Sequence, residues 1–368
     1  MAFADRLKII KEIESLRESK VICYLTSIRQ NINAQIGEDA VRVMFDQMLL
    51  LPERPIKKLD VFLCSNGGAG TVPWRLISLF REYAASVAVL LPYRAYSAAT
   101  LLALGADEIV MHPFSEMGPI DPTVSNDYNP VDPVSNRRIG ISVEDVKAYI
   151  SFIKATVGIQ HEDELVKTVE ILAQRVHPLA LGNVERSLSQ SRLIAAKILK
   201  THMQDGTQHQ IEEIIDNLAS KLYFHGHPIN RVEARRELKL KVMENLPAAL
   251  ETAIWKLYED FEAEFENRVV FDPMAGIYAA AQSQLDAALQ VQQPGGPPPP
   301  PMHIVPPGTS ATFDLLLADI EGARRASQLR QKIRFVVTGT GPSGEPLLRQ
   351  ETLAQGWVHS EAPTALQS

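Results

Sequence analysis

The chain has 368 residues, 45% hydrophobic and 22% charged, which supplies apolar surface for a full core and suits one large domain with an appendage, or two domains. With 37 Lys+Arg against 44 Asp+Glu the net charge is -7, so there is no long-range attraction to phosphate backbones or anionic lipid, and no nucleic-acid partner is expected. Only two cysteines occur, Cys23 and Cys64, each inside an apolar run; this excludes a secreted disulfide framework and fits a reducing compartment.

The start, Met1-Ala2-Phe3-Ala4-Asp5-Arg6-Leu7-Lys8, brings charge at once and lacks the apolar stretch of a secretory signal. The apolar runs near residues 86–92 and 97–106 are too short or too broken, by Pro92 and Arg94, to cross a bilayer. The expected location is cytoplasmic, with no transmembrane segment; other membrane association stays open. Residues 5–19 carry helical spacing, and Val21-Ile22-Cys23-Tyr24-Leu25-Thr26 reads as a buried strand. A second helix over 38–50 precedes the strand Leu59-Asp60-Val61-Phe62-Leu63-Cys64, which ends at Ser65-Asn66-Gly67-Gly68-Ala69-Gly70. A helix from Val72 to Ala84 follows, with Pro73 in its first turn, and then the strand Ser86–Leu91, a short helix Ser97–Leu104 and the strand Glu108–Met111. Strand, turn and helix in alternation predict an α/β domain with a largely parallel sheet.

After residue 121 the pairs Asp121-Pro122, Asn129-Pro130 and Asp132-Pro133 predict a long surface loop. Helix then dominates from Ser142 to at least Ala219, interrupted near Gly158-Ile159-Gln160-His161 and at Pro178, with a further helical stretch from about Arg231 to Glu266. Gln290–Pro301, with Gly295-Gly296 and five consecutive prolines, reads as a polyproline linker at which the core ends. Beyond it one strand is expected, Ile333-Arg334-Phe335-Val336-Val337, with the glycine turn Gly339-Thr340-Gly341-Pro342. The expected boundaries are a domain over 1–285, a Pro/Gly-rich linker over 286–305 and a small segment over 306–368.

Acyl transfer needs donors aimed at the oxygen of a tetrahedral intermediate and a nucleophile held where backbone amides favour negative charge. Asn66-Gly67-Gly68 closes one strand, and missing Cβ atoms let its backbone approach a carbonyl; Tyr96-Ser97-Ala98-Ala99 opens a helix after the next strand. Taken separately, a Gly-Gly after a strand is an ordinary turn and a Ser opening a helix an ordinary N-cap.

Together with their surroundings these residues resemble the Clp-peptidase/crotonase superfamily, and within it the serine dehydrogenase proteinase branch related to signal peptide peptidase A. The resemblance runs through Val61–Gly68, Tyr93–Thr100, Gly105-Ala106-Asp107-Glu108-Ile109-Val110-Met111 and Met117-Gly118-Pro119-Ile120-Asp121-Pro122. Val176-His177-Pro178-Leu179-Ala180-Leu181-Gly182 and His225-Gly226-His227-Pro228-Ile229 extend it to about residue 240. It implies a Clp/crotonase-like ββα superhelix, a serine peptidase acting on a peptide or protein, and a homo-oligomer. Ser97 would be the nucleophile; Gly67 and Gly68, with Ala98, would form the oxyanion hole.

The stretch in which a Clp peptidase carries its His reads Gly118-Pro119-Ile120-Asp121-Pro122, without one. Signal peptide peptidase relatives use a downstream Lys, and Lys147 lies 50 positions after Ser97, on a helix expected to border the cleft. Lys154 is the second candidate and His177 a third; as an ordinary surface residue Lys147 would pair with Glu144 or Asp145. His112 before Pro113 reads as structural, Glu162-Asp163-Glu164 as a solvated helix start, and Trp74 as core or a subunit contact. His225-Gly226-His227 lacks acidic or Cys partners at metal spacing, so neither metal nor cofactor is expected. Two alternatives keep the fold: a crotonase-type acyl-CoA enzyme, against which the Ser at position 97 counts, and a catalytically silent oligomeric scaffold, which the missing His favours.

Overall fold

The computed structural model describes residues 3–120, 123–124, 126–132, 138–203, 207–221, 226–291, 305–341 and 344–362. Asp121-Pro122, Pro133, His225, Pro342 and the proline run of the expected linker lie outside them. In chain order the elements are α1 (Phe3–Arg17), β1 (Lys20–Thr26), α2 (Asp39–Leu49), β2 (Ile56–Cys64), α3 (Val72–Tyr83), β3 (Ala84–Leu91), β4 (Arg94–Ala95) and α4 (Ala98–Ala103). Then follow β5 (Glu108–Met111), β6 (Glu116–Met117), β7 (Thr123–Val124), β8 (Ile141–Ser142), α5 (Val143–Ser151), a π-helical turn (Phe152–Thr156), α6 (Glu162–Arg175), α7 (Pro178–Leu199) and α8 (Gln208–Asp216). The last are a second π-helical turn (Asn217–Lys221), β9 (Ile229–Asn230), α9 (Arg231–Arg236), α10 (Ala248–Glu264), α11 (Pro273–Val291), β10 (Ser310–Gly322), β11 (Arg325–Thr340) and β12 (Pro346–Glu361). These residues divide into two compact units, one of Lys11–Ile22 with Ile36–Trp255 and the other of Met1–Ile10, Cys23–Gln35 and Lys256–Ser368.

In the unit built on Ile36–Trp255, β2, β3 and β5 pair in parallel, with Val61 opposite Val89, Phe62 opposite Leu90, and Leu91 opposite Met111. Their continuous apolar runs are what a parallel sheet buried on both faces requires: Val61, Phe62, Leu63, Val89, Leu90 and Leu91 are all fully buried. At about 1.5–3 kcal/mol for each side chain removed from water, these positions hold the sheet rigid under the turns at its carboxyl end. Leu76, Ile77 and Phe80 of α3 are fully buried as well, the spacing of a helix's inner face. The one charge in the middle of β2, Asp60, is fully buried and held by Arg17 Nε at 2.9 Å, Arg17 Nη2 at 3.2 Å and Ser19 Oγ at 2.8 Å. Arg17 also reaches Glu108 at 2.8 Å; burial works against its charge, but these two carboxylates outweigh it and raise its pKa.

A small second sheet runs β4-β6-β9, with Ala95 paired to Met117 and Met117 to Ile229. The predicted parallel α/β architecture is therefore present, with each turn that follows β2, β3 or β5 at the same end of the sheet. The helix expected over Arg231–Glu266 is broken: α9 stops at Arg236, and Lys241 and Met243 exchange backbone bonds with Ile109 of β5 before α10 begins after Pro247. Pro247 cannot continue a helical hydrogen-bond ladder, which fixes that break.

The second unit departs further from the sequence reading. Instead of one strand after residue 302 there are three, paired antiparallel in the order β10-β11-β12. The core does not end at the linker either, since Val305 and Val337 are buried with Ile277 of α11. A second cluster joins Phe271, Leu315, Leu317 and Ile333, with Phe271 edge-on to Phe313 at 5.2 Å between centroids. Arg6 is buried in this unit, donating to Glu321 at 2.8 Å and Asp260 at 2.8 Å and also pairing with Glu264.

Candidate active site

The carboxyl end of β2 runs into Ser65, whose N–H donates to Arg94 O at 2.9 Å and whose carbonyl accepts from Tyr96 N at 3.0 Å. That pair of bonds brings the Ser65-Asn66-Gly67-Gly68 bend alongside the turn that opens α4. The contact is close: a Cβ on Gly67 would lie 2.7 Å from Tyr96 O and 2.8 Å from Ser97 Cβ, and Gly67 has a φ of +103°. Gly68 abuts Ile36 on its other side, where a Cβ would fall 2.4 Å from Ile36 O. Both glycines are required by space, and the bend is fixed between two neighbouring segments of backbone.

Ser97 has φ 52° and ψ -114°, a region that L-residues with a Cβ rarely occupy, and it makes no side-chain capping bond. Its N–H donates to Pro119 O at 3.2 Å and its carbonyl accepts from Leu101 N at 3.0 Å, so the backbone is tied on both sides. Its Oγ has no hydrogen-bond partner among the described residues, and the residue is half-exposed. An ordinary N-cap serine would spend its hydroxyl on an amide of the first turn; this one does not. Beneath it, Thr100 is fully buried and donates to Ala95 O at 2.7 Å or Gly118 O at 2.8 Å.

The backbone amides of the bend are unequal. Gly67 N–H is engaged by Ser65 Oγ at 3.0 Å, whereas the amides of Gly68 and Ala98 have no partner among the described residues. Gly67 makes the close approach to Ser97 and Ala98, while the hydroxyl of Ser97 and the amides of Ala98 and of the next residue in the bend, Gly68, have no partner among the described residues. Because α4 has only six residues, any stabilisation of negative charge there comes from these amides and little from a helix dipole. Tyr96 turns its hydroxyl away to Glu116 at 2.8 Å, which Arg94 Nε also binds at 3.0 Å. Burial and the bond to Glu116 raise the Tyr96 pKa well above the usual phenol.

Among the described residues no base lies in hydrogen-bonding geometry with the Ser97 hydroxyl. Lys147 is half-exposed on α5, which packs against β8 and α7; Lys154 is exposed on the first π-helical turn. His177 is exposed, accepts from Leu179 N through Nδ1 at 3.1 Å as the cap of α7, and stacks on Tyr128 at 5.0 Å. His112 accepts from Phe114 N at 3.1 Å and stacks on Trp255 at 4.9 Å; burial lowers its pKa. Trp74 is half-buried under Lys197, 5.8 Å from the ring centroid, and His227 bonds Glu233 at 2.7 Å. Among the described residues no group of three or more His, Cys, Asp or Glu side chains could hold a metal ion.

Two features of the site escaped the sequence reading. Ser65 carries no signal beyond a polar residue at a strand end, and the neighbour that confines Gly68, Ile36, lies about 30 residues upstream in an unremarked loop.

Residues 1–135 match the model of the ClpP-like SDH-type serine proteinase family. Two proteins of Methanocaldococcus jannaschii are similar: uncharacterized protein MJ1495, 25% identical over 66% of this chain and 73% of its own, and uncharacterized protein MJ0137, 24% identical over 69% and 78%. Among solved structures, the 1510-N membrane-bound stomatin-specific protease aligns with 64% of this chain and 84% of its own at 16% identity; its TM-score of 0.33 is too low to bear on fold or function. The segment that matches the ClpP-like SDH-type serine proteinase family includes both the diglycine bend and Ser97.

Proposed function

We propose that this protein hydrolyses peptide bonds through an acyl-enzyme on Ser97, with the amides of Gly68 and Ala98 as oxyanion donors and Lys147 as general base. The observation that carries the reading is the backbone of Ser97: a strained residue whose hydroxyl does no capping, pressed against a bend that only glycine can form. In the first half-reaction Ser97 Oγ bonds to the scissile carbonyl carbon while its proton passes to the Lys147 amine. The carbonyl oxygen takes the negative charge and accepts from the two amides. Collapse breaks the C–N bond, Lys147 returns its proton to the leaving amine, and water then repeats the sequence on the ester.

For Lys147 the support is placement and chain spacing. Its helix packs on α7, and α7 donates Ser191 Oγ to Ile120 O at 2.7 Å, one residue beyond the carbonyl that holds Ser97 N–H. A peptide or protein substrate, a self-associated active form and a cytoplasmic location belong to the same proposal. Exposed Val166 and Val169, one turn apart on α6, support self-association, and the buried Cys23 and Cys64, not joined in a disulfide, fit a reducing compartment.

A fluorophosphonate probe tests the scheme. The wild type should be labelled and Ser97→Ala should not; Lys147→Ala should lose labelling with an unchanged circular dichroism spectrum, while Lys154→Ala keeps it. Failure of the wild type to label would remove the peptidase reading, and a fully labelled Lys147→Ala would remove Lys147 alone.

A further inference from the structure

Ser65 is fully buried directly after the end of β2, and its N–H, carbonyl and Oγ are committed to the two loops that meet at Ser97. Its N–H and carbonyl hold Arg94 and Tyr96, and an isolated parallel bridge pairs it with Ala95. Its Oγ accepts from Gly67 N at 3.0 Å, and Gly67 O lies 3.5 Å from the same oxygen, at the limit of a hydrogen bond. Gly67 O is also the acceptor for Ile36 N at 2.8 Å.

That last bond has a geometric corollary. The carbonyl of Gly67 and the N–H of Gly68 belong to one trans peptide and point in opposite directions. With the carbonyl held by Ile36, the Gly68 N–H is turned away from Ile36. The bend could otherwise offer two successive amides or rotate between them; Ser65 consumes the first, and together with Ile36 fixes the plane of the second.

We infer that Ser65 is a positioning residue of the oxyanion hole: its hydroxyl ties down the Gly67 amide so that the Gly68 amide, and not its neighbour, faces the developing charge next to Ser97. The inference rests on the peptidase reading and adds a residue to it. A buried amide left without its acceptor would pull the bend toward another partner, so the Gly68 donor would lose its aim while the substrate-binding surface stays in place.

The test is the kinetics of labelling by a fluorophosphonate probe on the full chain, comparing wild type, Ser65→Ala and Ser65→Thr, with melting curves for each. Loss of oxyanion alignment should lower the maximal labelling rate about 10–100-fold in Ser65→Ala and leave the half-saturating probe concentration within about two-fold. Ser65→Thr, which keeps the hydroxyl acceptor, should restore most of the rate. Should either variant fail to fold, Ser65→Cys, of similar size with a weak acceptor, takes its place and should label at least about five-fold more slowly than wild type. A folded Ser65→Ala or Ser65→Cys that labels at the wild-type rate overturns the role of Ser65 and leaves Ser97 untouched; an unlabelled wild type overturns the peptidase reading instead.

Discussion

Replacing Ser97 by glycine should make the protein more stable than replacing it by alanine. Both changes remove the hydroxyl, so they differ only by a Cβ on a backbone at φ 52°, ψ -114°. A side chain in so sparsely populated a region costs about 1–3 kcal/mol. Against this, glycine gives the unfolded chain more freedom, worth about 0.4–1 kcal/mol. It also forfeits the contact of a half-buried methyl, roughly 0.4 kcal/mol at half the value of a fully buried CH₂. With each range taken at its middle, the balance favours Ser97→Gly over Ser97→Ala by roughly 1 kcal/mol. Urea unfolding of the two variants side by side, followed by far-ultraviolet circular dichroism, reads the difference directly. If Ser97→Ala proves as stable as Ser97→Gly, the backbone at this position is not strained, and the argument that sets this serine apart from an ordinary N-cap is wrong.

Two further outcomes follow from buried charge. Arg17→Met should lower stability by about 3–5 kcal/mol, because it strands Asp60, which is fully buried in β2; a double variant with Asp60→Asn should recover a good part of that loss in the same melts. Burial pushes the Asp319 carboxyl up to about 7 and that of Glu321 to about 8, against 3.8 and 4.5 for free groups. The folded state therefore keeps protons that the unfolded chain releases. Their contribution is complete below about pH 4 and is lost as pH rises through 7 to 8, by at most about 1.4 kcal/mol per pH unit for each proton involved. Asp319→Asn can still accept from Gln328, 2.9 Å away, and should gain on the wild type from about pH 5 to 7 and level off above about pH 8; a constant difference from pH 5 to 8 would refute the assignment.

The parts of the fold legible in the sequence are those where burial leaves a one-dimensional trace. Val61-Phe62-Leu63 and Val87–Leu91 are apolar without interruption because neither face of their sheet meets water, and the helix between them shows its inner face at Leu76, Ile77 and Phe80. β11 left no such trace, since only Ile333–Val337 is densely apolar while Arg330, Lys332 and Arg334 line its length. β12 is exposed along most of its residues and alternates too weakly to read as a strand. At the site, Gly67 and Ser97 were visible as residue types in pattern, but what separates them from a turn and a cap is a pair of dihedral angles and a distance of 2.8 Å, which no spacing encodes. Nor could any pattern near Arg6 point to Asp260 or Glu321, whose carboxylates lie in distant parts of the chain.

That guanidinium and Glu321 are separated by 315 positions, and Asp260 by 254. At 5–20 residues per second on the ribosome, the guanidinium waits roughly 15–60 s for the last of its hydrogen-bond partners to be made. Until then a nascent chain carries an arginine that it cannot bury, so this part of the molecule closes only after nearly all of it has emerged. Chains interrupted before β10 would keep that charge in water and leave Phe271 and Ile277 uncovered, which marks unfinished copies for quality control by the same contacts that complete the finished ones.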